Sequence, residues 1–397
     1  MALISMEDTA IIKATVPILE TGGETLTKHF YKNMLQNHPE VVPFFNKAHQ
    51  SSGDQPRALA NAVLMYARNI EKLENLGPLV NQIINKHVSL DIHPDHYAVV
   101  GSCLLQAIRE VLGPEIATDA VISAWGSAYG QLADILIGAE KNINDTKAAA
   151  LGGWRSGREF VVKQKVVESS EIISFILEPV DQKPILAHEA GQYLGLHLKV
   201  LNEEVRRNYS ISCASNGKHY RISVKREPGG VVSNHLHDDV TVGSKLELYP
   251  PSGEFTLKMA SSTSKPLVFL TAGVGITPAL AMLQETLSNT GSSQRDICFI
   301  HCARSKQVQA FRDVVDELVA KHSNLVSHNV YSAETADSKR LTAENLAKLI
   351  PANRDADVYL LGTKDFMKAM KKDLLAMGVP APQIHWEFFG PAASLDN

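Results

Sequence analysis

At 397 residues the chain exceeds what one hydrophobic core usually organises, so two or three domains are expected. Apolar residues make up 44%, charged residues 21%, and the formal net charge is −4, which leaves no basic surface for nucleic acid. No run approaches the roughly 18 apolar residues of a membrane span, and Met1–Thr9 lacks the parts of a signal peptide, so no integral membrane segment is expected.

The four cysteines, Cys103, Cys213, Cys298 and Cys302, are too few and too scattered for a disulfide framework or an iron–sulfur cluster. A reducing cytoplasm is the expected setting, and any redox cofactor is organic or held by other ligands.

Helical periodicity dominates residues 1–145. Leu59, Val63, Tyr66, Ile70 and Leu73 recur at steps of four and three and mark one buried face. Val100, Leu104, Ile108 and Val111 mark a second, and Trp125, Tyr129, Leu132 and Leu136 a third. An all-α domain of about six to eight helices follows from this spacing. Asn144–Gly153, small and polar, reads as a linker. Residues 155–263 then change to short runs rich in β-branched residues: Phe160–Val167, Ile172–Leu177, Tyr193–Val200, Tyr209–Cys213, Tyr220–Val224 and Lys245–Tyr249. Turn formers such as Asn216-Gly217 separate them, as in an antiparallel barrel or sandwich. Residues 264–397 alternate strand and helix. Leu267–Leu270, Ile297–His301 and Tyr359–Leu361 are the expected strands, with helices at Thr277–Leu287, Phe311–Lys321 and Asp365–Met377, which describes a parallel α/β sheet.

Several polar residues fall where a helix buries apolar ones. His87 follows Val80, Ile83 and Ile84 on one face, which makes it a core histidine or a ligand. Gln55 lies one turn before Leu59, Tyr97 precedes Val100, and Glu140 follows Leu136. Gln55 and Glu140 also suit exposed helix ends. If Glu140 is inside, it needs a partner, because an unpaired buried carboxylate is costly.

Phe44-Phe45-Asn46, Gly53-Asp54-Gln55, Lys86-His87, Pro94-Asp95-His96-Tyr97 and Ala124-Trp125-Gly126 occur in globin-like order, and the segment resembles the globin half of the flavohaemoglobins. The resemblance implies haem b with His87 as proximal iron ligand and Phe45 on the porphyrin face. It places Tyr31 and Gln55 on the distal side, with Leu59 shaping the pocket. It places Tyr97 and Glu140 behind His87, the carboxylate accepting the imidazole N–H and raising ligand basicity. That pairing suits oxygen chemistry over reversible storage. Lys86 is expected near a haem propionate or in solvent.

Arg207-Asn208-Tyr209-Ser210 alternates Arg207 and Tyr209 on one strand face with Asn208 and Ser210 on the other. An arginine can pair with a diphosphate, and a tyrosine can cover a flavin ring. Gly229-Gly230-Val231-Val232-Ser233 places glycines before a hydroxyl at a helix start, a natural anion-binding turn. With Tyr193 upstream, these elements resemble the FAD barrel of ferredoxin–NADP reductase-like proteins. Gly273-Val274-Gly275-Ile276-Thr277-Pro278 follows a buried strand and opens a helix; it departs from GxGxxG but resembles the nicotinamide turn of that family. Arg304 and Lys306 follow the next strand, where an arginine can grip a 2′-phosphate, so NADPH use comparable to NADH is expected. Glu387-Phe388-Phe389-Gly390-Pro391 resembles the family's terminal motif. By that likeness Phe389 covers the flavin and Glu387 lies near the hydride path. Leu361-Gly362-Thr363 departs from the family's Cys-Gly-Pro turn.

The resemblance implies electrons passing from NADH or NADPH to FAD and then to haem, with nitric oxide and dioxygen converted to nitrate. Two rivals are a gas-binding or gas-sensing globin whose reductase keeps iron ferrous, and a flavin-centred reductase of quinones or dyes.

Overall fold

A computed structural model describes residues 4–46, 50–257, 265–288, 295–333 and 340–390. Pro391, quoted above, lies outside them. Among the described residues the first domain holds five α-helices: α1 Met6–Asn37, α2 Asp54–Arg68, α3 Gly77–Leu90, α4 Pro94–Ile116 and α5 Asp119–Ala149. Short 3-10 helices at Pro39–Phe44 and Leu73–Leu76 turn the corners. The expected apolar stripes meet in the core, where Tyr66, Ile70, Leu104, Ile108 and Trp125 are buried with Phe30 and Met34.

The expected linker is shorter than the sequence implies, because α5 runs through Asn144 to Ala149. Lys141 pairs with Asp145 at i,i+4 and alanines complete the last turn, so this polar stretch is a good helix former.

The second domain is an antiparallel sheet curled into a half-barrel. Its strands are β1 Arg158–Val167, β2 Ile172–Pro179, β3 Tyr193–Val200, β4 Glu203–Ser210, β5 Tyr220–Lys225 and β6 Lys245–Leu248, in the order β4-β3-β6-β1-β2-β5. A short helix, α6 Val231–Asp238, follows β5. Expected at Tyr209–Cys213, β4 instead occupies Glu203–Ser210. Glu203-Glu204-Val205-Arg206-Arg207-Asn208 has no apolar alternation because β4 is an edge strand, and its Arg206 and Asn208 reach another domain (below).

The third domain is a five-stranded parallel sheet, β7 Leu267–Ala272, β8 Ile297–Ala303, β9 Leu325–Tyr331, β10 Asp357–Leu361 and β11 Ile384–Trp386, ordered β11-β10-β7-β8-β9. Helices α7 Ile276–Ser288, α8 Arg312–Lys321, α9 Ala343–Leu349 and α10 Lys364–Ala376 cover it. Strands β9 and β11 and helix α9 add to the elements expected from sequence.

Candidate functional site

Helix α3 carries the centre of the first site. His87 Nδ1 lies 2.7 Å from Glu140 Oε1 and 2.9 Å from Tyr97 Oη, and Tyr97 donates to the same carboxylate oxygen at 2.5 Å. Glu140 is only 5% exposed, so the two donors answer the cost of burying it. Burial, followed by the charge of Glu140, pushes the Tyr97 phenol well above its ordinary range, which fixes it as a donor. Tyr129 in turn donates to the Tyr97 carbonyl at 2.6 Å. With Nδ1 committed to this pair, the Nε2 of His87 keeps its lone pair and meets no partner among the described residues. That donor set fits a haem iron: one imidazole nitrogen open to the metal, and a carboxylate orienting the ring through the other.

Tyr31, Gln55 and Phe45 come together in a second cluster of the first domain. The Tyr31 ring meets Phe45 edge-on at 5.6 Å, and its hydroxyl bonds Gln55. Burial pushes the Tyr31 phenol upward, the Gln55 bond opposing, so Tyr31 is held as a neutral O–H donor. Gln50 Nε2 donates to Gln55 Oε1 at 2.9 Å and fixes the amide. Leu59 packs against the same cluster.

Lys86 lies in the field of Glu387 and Arg207 rather than in open solvent. Burial pushes its amine downward, with Glu387 opposing, while burial pushes the Glu387 carboxyl up to about 7, with Lys86 opposing and Glu254 adding. The end of α3 is pressed against the half-barrel here. A Cβ at Gly195 would lie 1.9 Å from the Ser89 carbonyl, so only glycine lets β3 meet the helix backbone. Asn208 donates to Ser89 Oγ at 2.8 Å, and Tyr193 also bonds Ser89. Arg206 donates to the Leu90 carbonyl and stacks over Phe44 at 4.3 Å. Ser89, two residues past His87, and Arg206, next to Arg207, had no further signal in the sequence.

In the half-barrel, Tyr193 pairs with Ser210 across β3 and β4, and Tyr209 packs at the rim of the barrel core. The Asn208 side-chain Oδ1 is buried without a partner, an acceptor open to a bound group. Burial pushes the Arg207 guanidinium downward, and Tyr209 lies close enough to oppose this. Gly230 caps α6, where Val232 and Ser233 are buried. Ser233 Oγ accepts from Glu227 N at 3.1 Å, which closes the turn and leaves first-turn amides of α6 for a diphosphate. These residues fit FAD.

In the third domain β7 runs into Gly273, at φ +54°, and Gly275, then into α7. A Cβ at Gly275 would lie 2.7 Å from the backbone of Leu361, so this glycine sets the approach of α7 to β10. Thr277 Oγ1 donates to the Val274 carbonyl at 2.9 Å, and Ile276, Thr277 and Pro278 are buried at the start of α7. Thr363, in the altered turn, caps α10 by accepting from Phe366 N. At the chain's far end Phe388 packs inward near Trp386, whereas Phe389 is 40% exposed.

Fold and sites together define a globin joined to a flavin- and nicotinamide-dependent reductase. The globin family profile matches residues 28–136, the oxidoreductase FAD-binding domain 159–257, and the oxidoreductase NAD-binding domain 269–372. A flavohemoprotein of Pseudomonas aeruginosa is 57% identical over 399 residues, covering 99% of this chain and 100% of that one. Flavohemoprotein A of Dictyostelium discoideum is 41% identical over 408 residues, again covering 99% and 100%. The crystal structure of a flavohemoglobin from Malassezia yamatoensis with bound FAD and heme superposes with a TM-score of 0.83 at 27% identity, covering 98% of this chain and 100% of that one. The chain belongs to the flavohemoprotein family, with haem, FAD and a nicotinamide dinucleotide as its cofactors. No helix among the described residues is long and apolar enough to cross a membrane.

Proposed function

We propose that this protein is an NAD(P)H-dependent nitric oxide dioxygenase that converts nitric oxide and dioxygen to nitrate. The observation that carries the reading is the 2.7 Å contact of His87 Nδ1 with the buried Glu140. A carboxylate behind the imidazole makes Nε2 a stronger electron donor than a neutral acceptor would, which favours oxygen chemistry over storage. A reductase domain of a nitric oxide dioxygenase from Vibrio cholerae, 36% identical over 60% of this chain with a TM-score of 0.55, supports it.

When bound, haem supplies the iron centre for the gases and FAD divides a hydride's electron pair into single electrons. The protein's own residues do the rest. Tyr97 and Glu140 hold the proton on Nδ1 and aim Nε2 across the pocket. Tyr31 and Gln55 supply an O–H and an amide on the far wall, and Phe45 and Leu59 give that wall its apolar surface. Arg207, Tyr209, Ser210 and the start of α6 hold the flavin, with Tyr193 beside them, while Gly273–Pro278 receives the nicotinamide dinucleotide and Glu387 and Phe389 border its entry.

The test is nitric oxide consumption by the holoenzyme with NADH, with and without dioxygen. Nitrate should form as nitric oxide and dioxygen disappear together, and consumption should collapse without dioxygen. Oxygen binding that is reversible and yields no nitrate would make the protein a gas-binding globin instead.

A further inference from the structure

Strand β8 ends at Ala303, and Arg304-Ser305-Lys306 leave the sheet at the same C-terminal end of the strands as the Gly273–Gly275 turn, because Ala272 lies opposite Cys302 in parallel register. In a parallel dinucleotide-binding sheet, the tip of the strand near the glycine turn is where the adenosine ribose is read. A carboxylate there suits a free 2′-hydroxyl and an arginine suits a 2′-phosphate. This chain has both groups, but the carboxylate comes from the other domain. Glu171, in the β1–β2 turn of the flavin half-barrel, forms an ion pair with Arg304.

That turn is docked rather than passing by. Ser170 donates to the Gln307 carbonyl twice, from its backbone N–H and from its hydroxyl, each at 3.1 Å. On the other side the Glu171 carbonyl accepts from Arg226 N at 2.7 Å, which ties it to the loop before α6. Glu171 is 27% exposed at this seam, while the Arg304 side chain remains 64% exposed.

We propose that Glu171 sets the coenzyme preference across the domain boundary, holding Arg304 and opposing a 2′-phosphate so that NADH is favoured. NADPH must draw Arg304 away from Glu171 and place a doubly charged phosphate beside that carboxylate. NADH meets neither obstacle, and its 2′-hydroxyl can donate to the carboxylate. The comparable use of both coenzymes expected from Arg304 alone is therefore replaced by a bias toward NADH. An exposed ion pair is weak, so the bias from Glu171 is modest, about fivefold.

The experiment uses the holoenzyme with ferricyanide as electron acceptor, so its outcome is independent of nitric oxide chemistry. Glu171→Gln should raise kcat/KM for NADPH about fivefold and leave NADH within about twofold. Calorimetry should show 2′,5′-ADP bound more tightly by this variant and 5′-AMP unchanged. Arg304→Ala should lower NADPH use, spare NADH, and abolish the gain when combined with Glu171→Gln. An unchanged NADPH-to-NADH ratio in Glu171→Gln overturns the proposal, as does an equal change for both coenzymes, which would make the turn a docking contact only. NADPH use that survives Arg304→Ala undiminished overturns it too.

Discussion

Lys86 and His87 are neighbours on one helix, yet they serve carboxylates in different domains. His87 reaches Glu140 of α5, which accepts two hydrogen bonds from groups within 2.7 Å. Lys86 lies in the field of Glu387, beyond β11, and no donor bonds Glu387 among the described residues. One carboxylate is finished by its own domain. The other sits at a junction, held only by long-range charge, where burial keeps its proton on to about 7. A hydrogen-bonded buried charge fixes geometry, whereas an unbonded one stays responsive to whatever binds or titrates beside it.

The largest expected effect tests whether the globin end is self-contained. His87→Ala should abolish stoichiometric haem binding while FAD content and NADH-dependent ferricyanide reduction persist, because the globin and half-barrel cores are built from separate side chains. Pigment spectra and flavin release measure both. A variant with a normal Soret band places the iron ligand elsewhere.

Next in size is Glu140→Gln. The amide oxygen can still accept from Tyr97 and from His87 Nδ1, so haem should remain bound. Its lost charge weakens donation through the imidazole. The iron–histidine stretching frequency of the ferrous protein should fall, and nitric oxide turnover should drop about 10–100-fold, the usual scale for groups behind a metal ligand. Resonance Raman spectroscopy decides the point. An unchanged frequency means the 2.7 Å contact does not tune the iron.

What was legible in the sequence follows the same division. His87, Tyr97, Gln55 and Glu140 stood out because each is a polar residue on an apolar helical face, and period 3.6 reports that directly. The strands missed or displaced, β4, β9 and β11, are all sheet edges, where one flank pairs with nothing and the apolar rhythm weakens. Ser89, Arg206 and Glu171 were invisible for a different reason. Their partners Asn208, Leu90 and Arg304 lie 119, 116 and 133 residues away in other domains, and no local pattern encodes such a contact. The helical character of the globin domain was legible, but the length of α5 was not, since the small polar run from Asn144 reads as a linker while the helix continues to Ala149.

The smallest expected effect belongs to Glu387 and appears in the pH dependence of stability. Its carboxyl has an ordinary value of 4.5, and in the folded chain burial raises it to about 7. Between those values the folded state binds a proton that the unfolded state has released. The contribution of Glu387 to stability is therefore complete below about 4.5 and is lost as pH rises through about 7. Lys86 runs the opposite way. Burial lowers its amine from 10.5, so its contribution is complete only above that value and is lost as pH falls. Glu254, which faces Glu387 and is itself raised by burial, shares the sign of Glu387. Glu387→Gln removes one acid from this set and leaves the other two groups in place. The thermal midpoint of the reductase transition in the wild type should decline by a few degrees from about pH 5 to about pH 8, and the variant should decline less. Calorimetry across that range measures the difference. Parallel profiles for the two proteins would mean that solvent or a neighbouring donor already satisfies Glu387, and the contrast with Glu140 would then rest on geometry alone.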